Sequence, residues 1–248
     1  MSVVLVTGAS GLLGSRLLER LSAEHRVVAM SRGAVAGPAH AWVRGSFASP
    51  EDLRALDAYR IDTCVHLGAE VGGCSEEAGL SVNVLGTARL LRRLVDRGCR
   101  HAVLASSIGA VGCLTEGFLP RALPIDDDHP CDAVDAYGLS KALMEDVAFY
   151  FARTCPELEV AIFRIGAVLT EPPKPDEETS LAASRLPFRD GGSVAAADVV
   201  QALALAVARR LGPGARRFNL VAPTTASLYA TERLAQAYGF RPAPPPTA

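Results

Sequence analysis

Two side chains four residues apart in the stretch DAYGLSK, Tyr137 and Lys141, have the makings of an acid–base pair. A tyrosine phenol titrates near 10 and is a poor base at neutral pH. Residues four apart share one face of a helix, so the Lys141 ammonium can lie near the Tyr137 ring, where a positive charge favours the phenolate. Of the 25 lysines and arginines in the chain, only Lys141 and Lys174 are lysines, so position 141 departs from the general usage. Arginine is a wide planar fork that is never deprotonated, whereas lysine is a compact point charge. The alternative is an ordinary surface lysine beside a half-buried tyrosine.

A second group is the stretch TGASGLLG, which carries Gly8, Gly11 and Gly14 with Ser10, Leu12 and Leu13 between them. The segment VVLVTG before it reads as a buried strand, and GLLGSRLLERL reads as a helix with Leu13, Leu17, Leu18 and Leu21 on one side. Glycines between a strand and a helix let the backbone turn tightly and approach a pyrophosphate seated on the helix N-terminus. About 20 residues past the middle glycine, an NAD site carries a carboxylate for the ribose. The residues here are Ser31 and Arg32. A carboxylate would repel a 2′-phosphate, while a hydroxyl and a guanidinium can bind one. The expected cofactor is therefore NADP, with NAD as the alternative.

The elements that must position these groups alternate along most of the chain. RVVAMS is a second strand and AWVRG a third. SPEDLRAL is a short helix capped by Ser49 with Pro50 at its first position. DTCVHLGA is a fourth strand, with His66 as a core histidine. SVNVLGTARLLRRLVDRG is a long helix ended by Gly98, HAVLASS a fifth strand, DAYGLSKALMEDVAFYFAR another helix, and EVAIFRIG a sixth strand. This rhythm predicts an α/β fold: a Rossmann-type, doubly wound parallel sheet over residues 1–168. Residues 169–248 are expected to form a reduced substrate-binding region that includes a late strand and helices of the core. Its stretches are a proline-rich charged loop, TEPPKPDEE, a helix near 197–210, the strand RFNLVA, and the helix SLYATERLAQAYG.

Composition excludes several classes. The net charge is −2, which leaves no electrostatic footprint for nucleic acid or an anionic membrane. The apolar stretch VAAADVVQALALAVA is interrupted by Asp198 and Gln201 and is too short to span a bilayer. No basic, apolar leader opens the chain. Six cysteines without a C-x-x-C or metal spacing fit a reducing cytoplasm. PIDDDHPC, residues 124–131, reads as a solvated turn rather than a metal site, and no metal is expected.

TGASGLLG, SVNVLGTARLL, LASSIGAVG and DAYGLSK together, in this order, resemble the extended short-chain dehydrogenase/reductase superfamily, the group of NAD-dependent epimerases and dehydratases. The resemblance implies that Tyr137 is the acid/base, that Lys141 assists it and binds the nicotinamide ribose, and that Ser107 binds the substrate. It implies that Asn83 braces neighbouring strand ends, and that Ser46, Phe47, Leu67, Gly68, Ala69 and Ile165 join the cofactor contacts. It implies a homodimer through the helices beginning near Val82 and Asp135. FRIGAVLTEP further resembles the uronate dehydrogenases, compact members in which an arginine at the position of Arg164 holds a substrate carboxylate; the alternative is a strand-end arginine that simply pairs with a helix carboxylate. Their histidine after the catalytic serine is Gly109 here, and a tyrosine common in the family is Val111. Cys113–Val134 is expected to border the pocket. The expected activity is hydride transfer between NADP and a carbinol or carbonyl carbon of a small molecule. The alternatives are a nucleotide-sugar epimerase with tightly held cofactor and a non-catalytic NADP-binding regulator.

Overall fold

The computed structural model describes residues 1–170, 186–224 and 228–244. Its strands are β1 (Val3–Thr7), β2 (Arg26–Ser31), β3 (Ala41–Arg44), β4 (Thr63–His66), β5 (His101–Ser107), β6 (Glu159–Ile165), β7 (Ala167–Leu169), β8 (Ser193–Ala195) and β9 (Gly214–Leu220). The helices are α1 (Leu12–Leu21), α2 (Pro50–Leu53), α3 (Glu76–Ala78), α4 (Thr87–Asp96), α5 (Ala136–Thr154), α6 (Pro187–Asp190), α7 (Ala196–Ala208) and α8 (Glu232–Tyr238).

Seven strands form one parallel sheet in the order β3-β2-β1-β4-β5-β6-β9. The chain winds outward through β2 and β3, then returns to place β4 on the other side of β1. That reversal opens a crevice at the carboxyl ends of β1 and β4, where doubly wound sheets bind ligands. Both faces of the sheet are covered, so central strands such as VVLVT are apolar without alternation. Leu17, Leu18 and Leu21 of α1 pack with α7 and α8 residues on one face. Leu90, Leu91 and Leu94 of α4 and Met144, Ala148 and Phe151 of α5 pack on the other. Ser49 caps α2 by accepting a hydrogen bond from the Asp52 amide, with Pro50 at its first position.

Three features differ from the expected elements. The long helix from Ser81 begins instead as a π-helical stretch, Gly79–Gly86, between α3 and α4. β7 and β8 pair in a small parallel ribbon that the sequence pattern does not signal. The last helix starts at Glu232, and Tyr229 before it bridges to Ile125. Most of TEPPKPDEE lies outside the described residues, as do Lys174 and Arg185. Among the described residues no helix is long and apolar enough to cross a membrane.

Candidate active site

The crevice is shaped by backbone that side chains would obstruct. Gly8 has φ +68, and a Cβ there would stand 2.7 Å from the Gly68 amide nitrogen. A Cβ on Gly14 would overlap the Gly8 carbonyl, so α1 can approach the turn only with glycine at that position. The N-cap of α1 is Gly11, which offers no side-chain cap. The first amides of α1 are therefore open to an anion, as a pyrophosphate site requires. These features fit a dinucleotide.

A cavity of about 380 Å³ runs from this turn past the ends of β2, β3 and β4. Gly8, Ser10 and Gly11 line it, with Ser31 and Arg32, Ser46 and Phe47, and Leu67, Gly68 and Ala69. Gly45, Glu70, Val71 and Val82 also line it and were not singled out from the sequence. Leu12 and Leu13 form the first turn of α1 beside it, and Ile165 ends β6. Ser31 is already engaged: its hydroxyl donates to the Gly33 carbonyl at 2.6 Å and accepts from the Trp42 indole at 3.2 Å. The Arg32 side chain is 75% exposed, and its Nη1 donates to the Glu70 carboxylate at 3.5 Å across the cavity lining.

Beneath the crevice runs a buried polar chain. The Thr87 hydroxyl donates to the Asn83 carbonyl at 2.6 Å, so toward His66 it must accept, which places the His66 proton on Nε2. His66 Nδ1 then accepts from the Thr7 hydroxyl at 2.6 Å, and Thr7 accepts from the Gly68 amide. Burial and the Lys141 charge lower the His66 pKa to about 3, so the ring stays neutral. Asn83, placed by the π-helical stretch, accepts from the Glu70 amide and donates to the Glu70 carbonyl and the Ser140 hydroxyl. Ser140 in turn donates to the Tyr137 carbonyl at 2.8 Å. The loop after β4 and the start of α5 are thus tied through one side chain.

Ser107, Tyr137 and Lys141 come together where α5 meets the end of β5. Asp135 caps α5 by accepting from the Gly138 amide at 2.8 Å. A Cβ at Gly138 would meet the Gly109 carbonyl at 2.6 Å, so glycine lets the helix start press on the turn after β5. The Ser107 hydroxyl accepts from the Gly109 amide at 3.0 Å and hydrogen-bonds the Tyr137 phenol. Lys141 Nζ donates to the Ala105 carbonyl at 2.8 Å and stands 5.8 Å from the Tyr137 ring centroid. Burial lowers the Lys141 pKa to about 8, with Glu145 opposing. Burial also raises the Tyr137 pKa, against the lowering expected from Lys141, while the Ser107 hydrogen bond pulls it down.

Of its two expected places, Arg164 takes the pairing with a helix carboxylate rather than the substrate site. Its side chain is fully buried, and Nε and Nη2 grip the Glu145 carboxylate at 3.0 and 2.9 Å. Nη1 donates to the His129 carbonyl and Nη2 also reaches Cys131. The fork is filled from α5 and from the Cys113–Val134 loop, which leaves no edge for a substrate carboxylate. That loop is less solvated than PIDDDHPC suggests. Asp126 and Asp128 are exposed, but Asp127 and His129 are buried. The Asn219 amide donates to Asp127 at 2.5 Å, and burial raises the Asp127 pKa to about 6.

Proteins similar to this chain are known, both in sequence and in fold. The chain is 30% identical over 174 residues to the uronate dehydrogenase of Pseudomonas putida, covering 68% of this chain and 62% of that protein. It is 25% identical over 189 residues to a putative UDP-glucose 4-epimerase of Methanocaldococcus jannaschii, covering 72% of this chain and 60% of that one. It thus matches about three fifths of the length of these relatives. The structure of MoeE5 in complex with UDP-glucuronic acid and NAD superposes with a TM-score of 0.73 at 28% identity, covering 98% of this chain and 85% of MoeE5. The model of the NAD dependent epimerase/dehydratase family matches residues 4–220, most of the chain, and the protein belongs to that family.

Proposed function

We propose that the protein is an NADP-dependent oxidoreductase that moves a hydride between the nicotinamide and a carbinol or carbonyl carbon of a small, sugar-like substrate. The observation that carries this reading is the convergence of Ser107, Tyr137 and Lys141 at the end of β5, beside a crevice built for a dinucleotide. A bound nicotinamide supplies the hydride acceptor or donor. Tyr137 takes the proton from the substrate hydroxyl as the carbon is oxidised and returns it in the reverse direction. Ser107 hydrogen-bonds the reacting oxygen and keeps it against the phenol. Lys141, locked on the Ala105 carbonyl, brings its charge to the ring and serves the ribose. Within residues 169–248, the described stretches 186–224 and 228–244 are assigned the side of the pocket that faces the rest of the substrate. With Arg164 spent on Glu145, a substrate carboxylate would have to be held elsewhere.

The preference for NADP rests on Arg32, since no carboxylate stands at the end of β2 and the Ser31 hydroxyl is used within its own turn. A charged hydrogen bond contributes about 1.5–3 kcal/mol, one to two decades in affinity. Calorimetric titration is expected to show NADP(H) binding more tightly than NAD(H). Arg32→Ala is expected to erode the difference without abolishing either. Equal or tighter NAD(H) binding by the unaltered protein would contradict this.

A homodimer through α4 and α5 is part of the same proposal. A surface cleft of about 760 Å³ between them is lined by Val84, Ala88, Leu143, Val147 and the half-exposed Tyr150, together with the charged Arg89, Arg92, Arg93, Asp96 and Asp146. Apolar surface of this kind on paired helices suits a self-complementary two-fold contact. Tyr150→Arg is expected to shift sedimentation from dimer to monomer. A wild-type protein that sediments as a monomer would refute the dimer.

The second reading, a nucleotide-sugar epimerase, is favoured by the M. jannaschii relative. It is separated by cofactor exchange. The proposal expects a cofactor removable by washing and turnover of free sugars or sugar acids. The epimerase reading expects retained cofactor and conversion of a nucleotide sugar without net change in reduced nicotinamide.

A further inference from the structure

We propose that Glu145 is a positioning residue of this site, which anchors the catalytic helix to three strands and sets the charge surroundings of Lys141. The inference rests on the roles given above to Tyr137 and Lys141. Lys141 and Glu145 lie one helical turn apart on α5, and both are buried. Their polar ends reach consecutive residues of β5. Lys141 donates to the Ala105 carbonyl, and Glu145 Oε1 accepts from the Ser106 hydroxyl at 2.6 Å, immediately before Ser107. Glu145 also receives Arg164 from β6 and, at 2.6 Å, Arg217 from β9. One carboxylate therefore ties α5 to β5, β6 and β9 directly behind the reacting groups.

The charges explain why a carboxylate belongs there. Lys141 faces Tyr137 and Glu145 on its own helix, with Asp135 at the helix start. The neutral His66 faces it from β4, and Arg164 and Arg217 lie beyond Glu145 on β6 and β9. Cys131 reaches Glu145 from the loop and Cys74 lies near the phenol. Glu145 is the group that offsets the burial of the Lys141 charge. Without its negative charge, nothing would offset the burial of the ammonium, and the proton on Lys141 would be lost at lower pH. Removing Arg217 has the opposite sign, because it takes away a cation and leaves Glu145 less neutralised.

The chain has only two lysines, Lys141 and Lys174, which makes Lys141 directly observable. The test is a pH titration of the full-length protein carrying isotopically labelled lysine, followed by side-chain NMR, with Lys174→Arg assigning the two signals. Glu145→Gln is expected to move the Lys141 midpoint down by about one pH unit, and Arg217→Gln to move it up by about half a unit or more. A purely structural Glu145 would leave the midpoint in place. Midpoints that stay put, or move the same way in both variants, would overturn the proposal. Should Glu145→Gln fail to fold, the partly exposed Arg217 decides the matter alone: an upward shift supports the proposal and an unmoved midpoint overturns it. The readout needs no turnover, so failure of the hydride-transfer reading would show separately, as opposite shifts in a protein that reduces and oxidises nothing. In an active preparation the basic limb of the kcat/KM profile should follow the same midpoints.

Discussion

Tyr137→Phe should lower turnover by about 10²- to 10⁴-fold, the usual effect of removing a general acid–base group. The ring stays, so its packing between Ser107 and the Lys141 charge is nearly unchanged. Cofactor affinity and Tm should therefore remain close to those of the unaltered protein. In the proposed reaction the Tyr137 oxygen takes the proton that the reacting hydroxyl loses, or returns one to the carbonyl oxygen, and an ammonium held on the Ala105 carbonyl is not placed to replace it. Burial raises the Tyr137 pKa, so Lys141 must supply charge for the phenolate to form. With Lys141 near 8, activity in the oxidative direction should fall again as pH rises through that value and the ammonium is lost. Steady-state kinetics across pH, with calorimetry on the same preparation, measures all three quantities. Near-normal turnover in Tyr137→Phe would show that the proton moves by another route.

Arg164→Ala should act on stability rather than on substrate affinity. Breaking a buried ion pair by removing one partner costs about 3–5 kcal/mol. For a chain of this size that is a fall in Tm of roughly 6–20 °C. The Glu145 carboxylate would keep Arg217 and Ser106, while the His129 carbonyl would lose its partner and Cys131 would keep only Glu145. A residue that grips a substrate carboxylate would behave oppositely, with an unchanged Tm and a raised KM. Thermal unfolding beside a KM measurement on a carboxylate substrate separates the two. An unaltered Tm with a large KM increase would reinstate the substrate role that the buried geometry denies.

The sequence was informative where chemistry is local. The glycine turn, the Ser49 cap and the Tyr137–Lys141 spacing each depend on neighbours within one or two turns of chain, and strand–helix alternation is enough to signal a parallel sheet covered on both faces. It was uninformative where a side chain's partner is distant. Arg164 finds Glu145 only once β6 is laid beneath α5, and Ser31 finds Trp42 only when β2 and β3 pair. Asp127 sits among three carboxylates that read as solvated, yet it is buried on the Asn219 amide, 92 residues away. Glu70 and Gly45 border the crevice through loops that no periodicity marks. The π-helical stretch carries a faint local signal, since Thr87 four residues after Asn83 can bond its carbonyl, and that spacing alone does not distinguish it from an ordinary helix.

Net hydride transfer between an exchangeable cofactor and the substrate carbon, with Tyr137 moving the proton, is tested most directly by stoichiometry. Protein washed free of nucleotide is supplied with NADP and a panel of free sugars, sugar acids and simple alcohols, and reduced nicotinamide is compared with product formed. One reduced nicotinamide is expected per molecule oxidised, and none in Tyr137→Phe on the same timescale. Cofactor that cannot be removed without unfolding, together with a nucleotide sugar epimerised at constant nicotinamide absorbance, would contradict it.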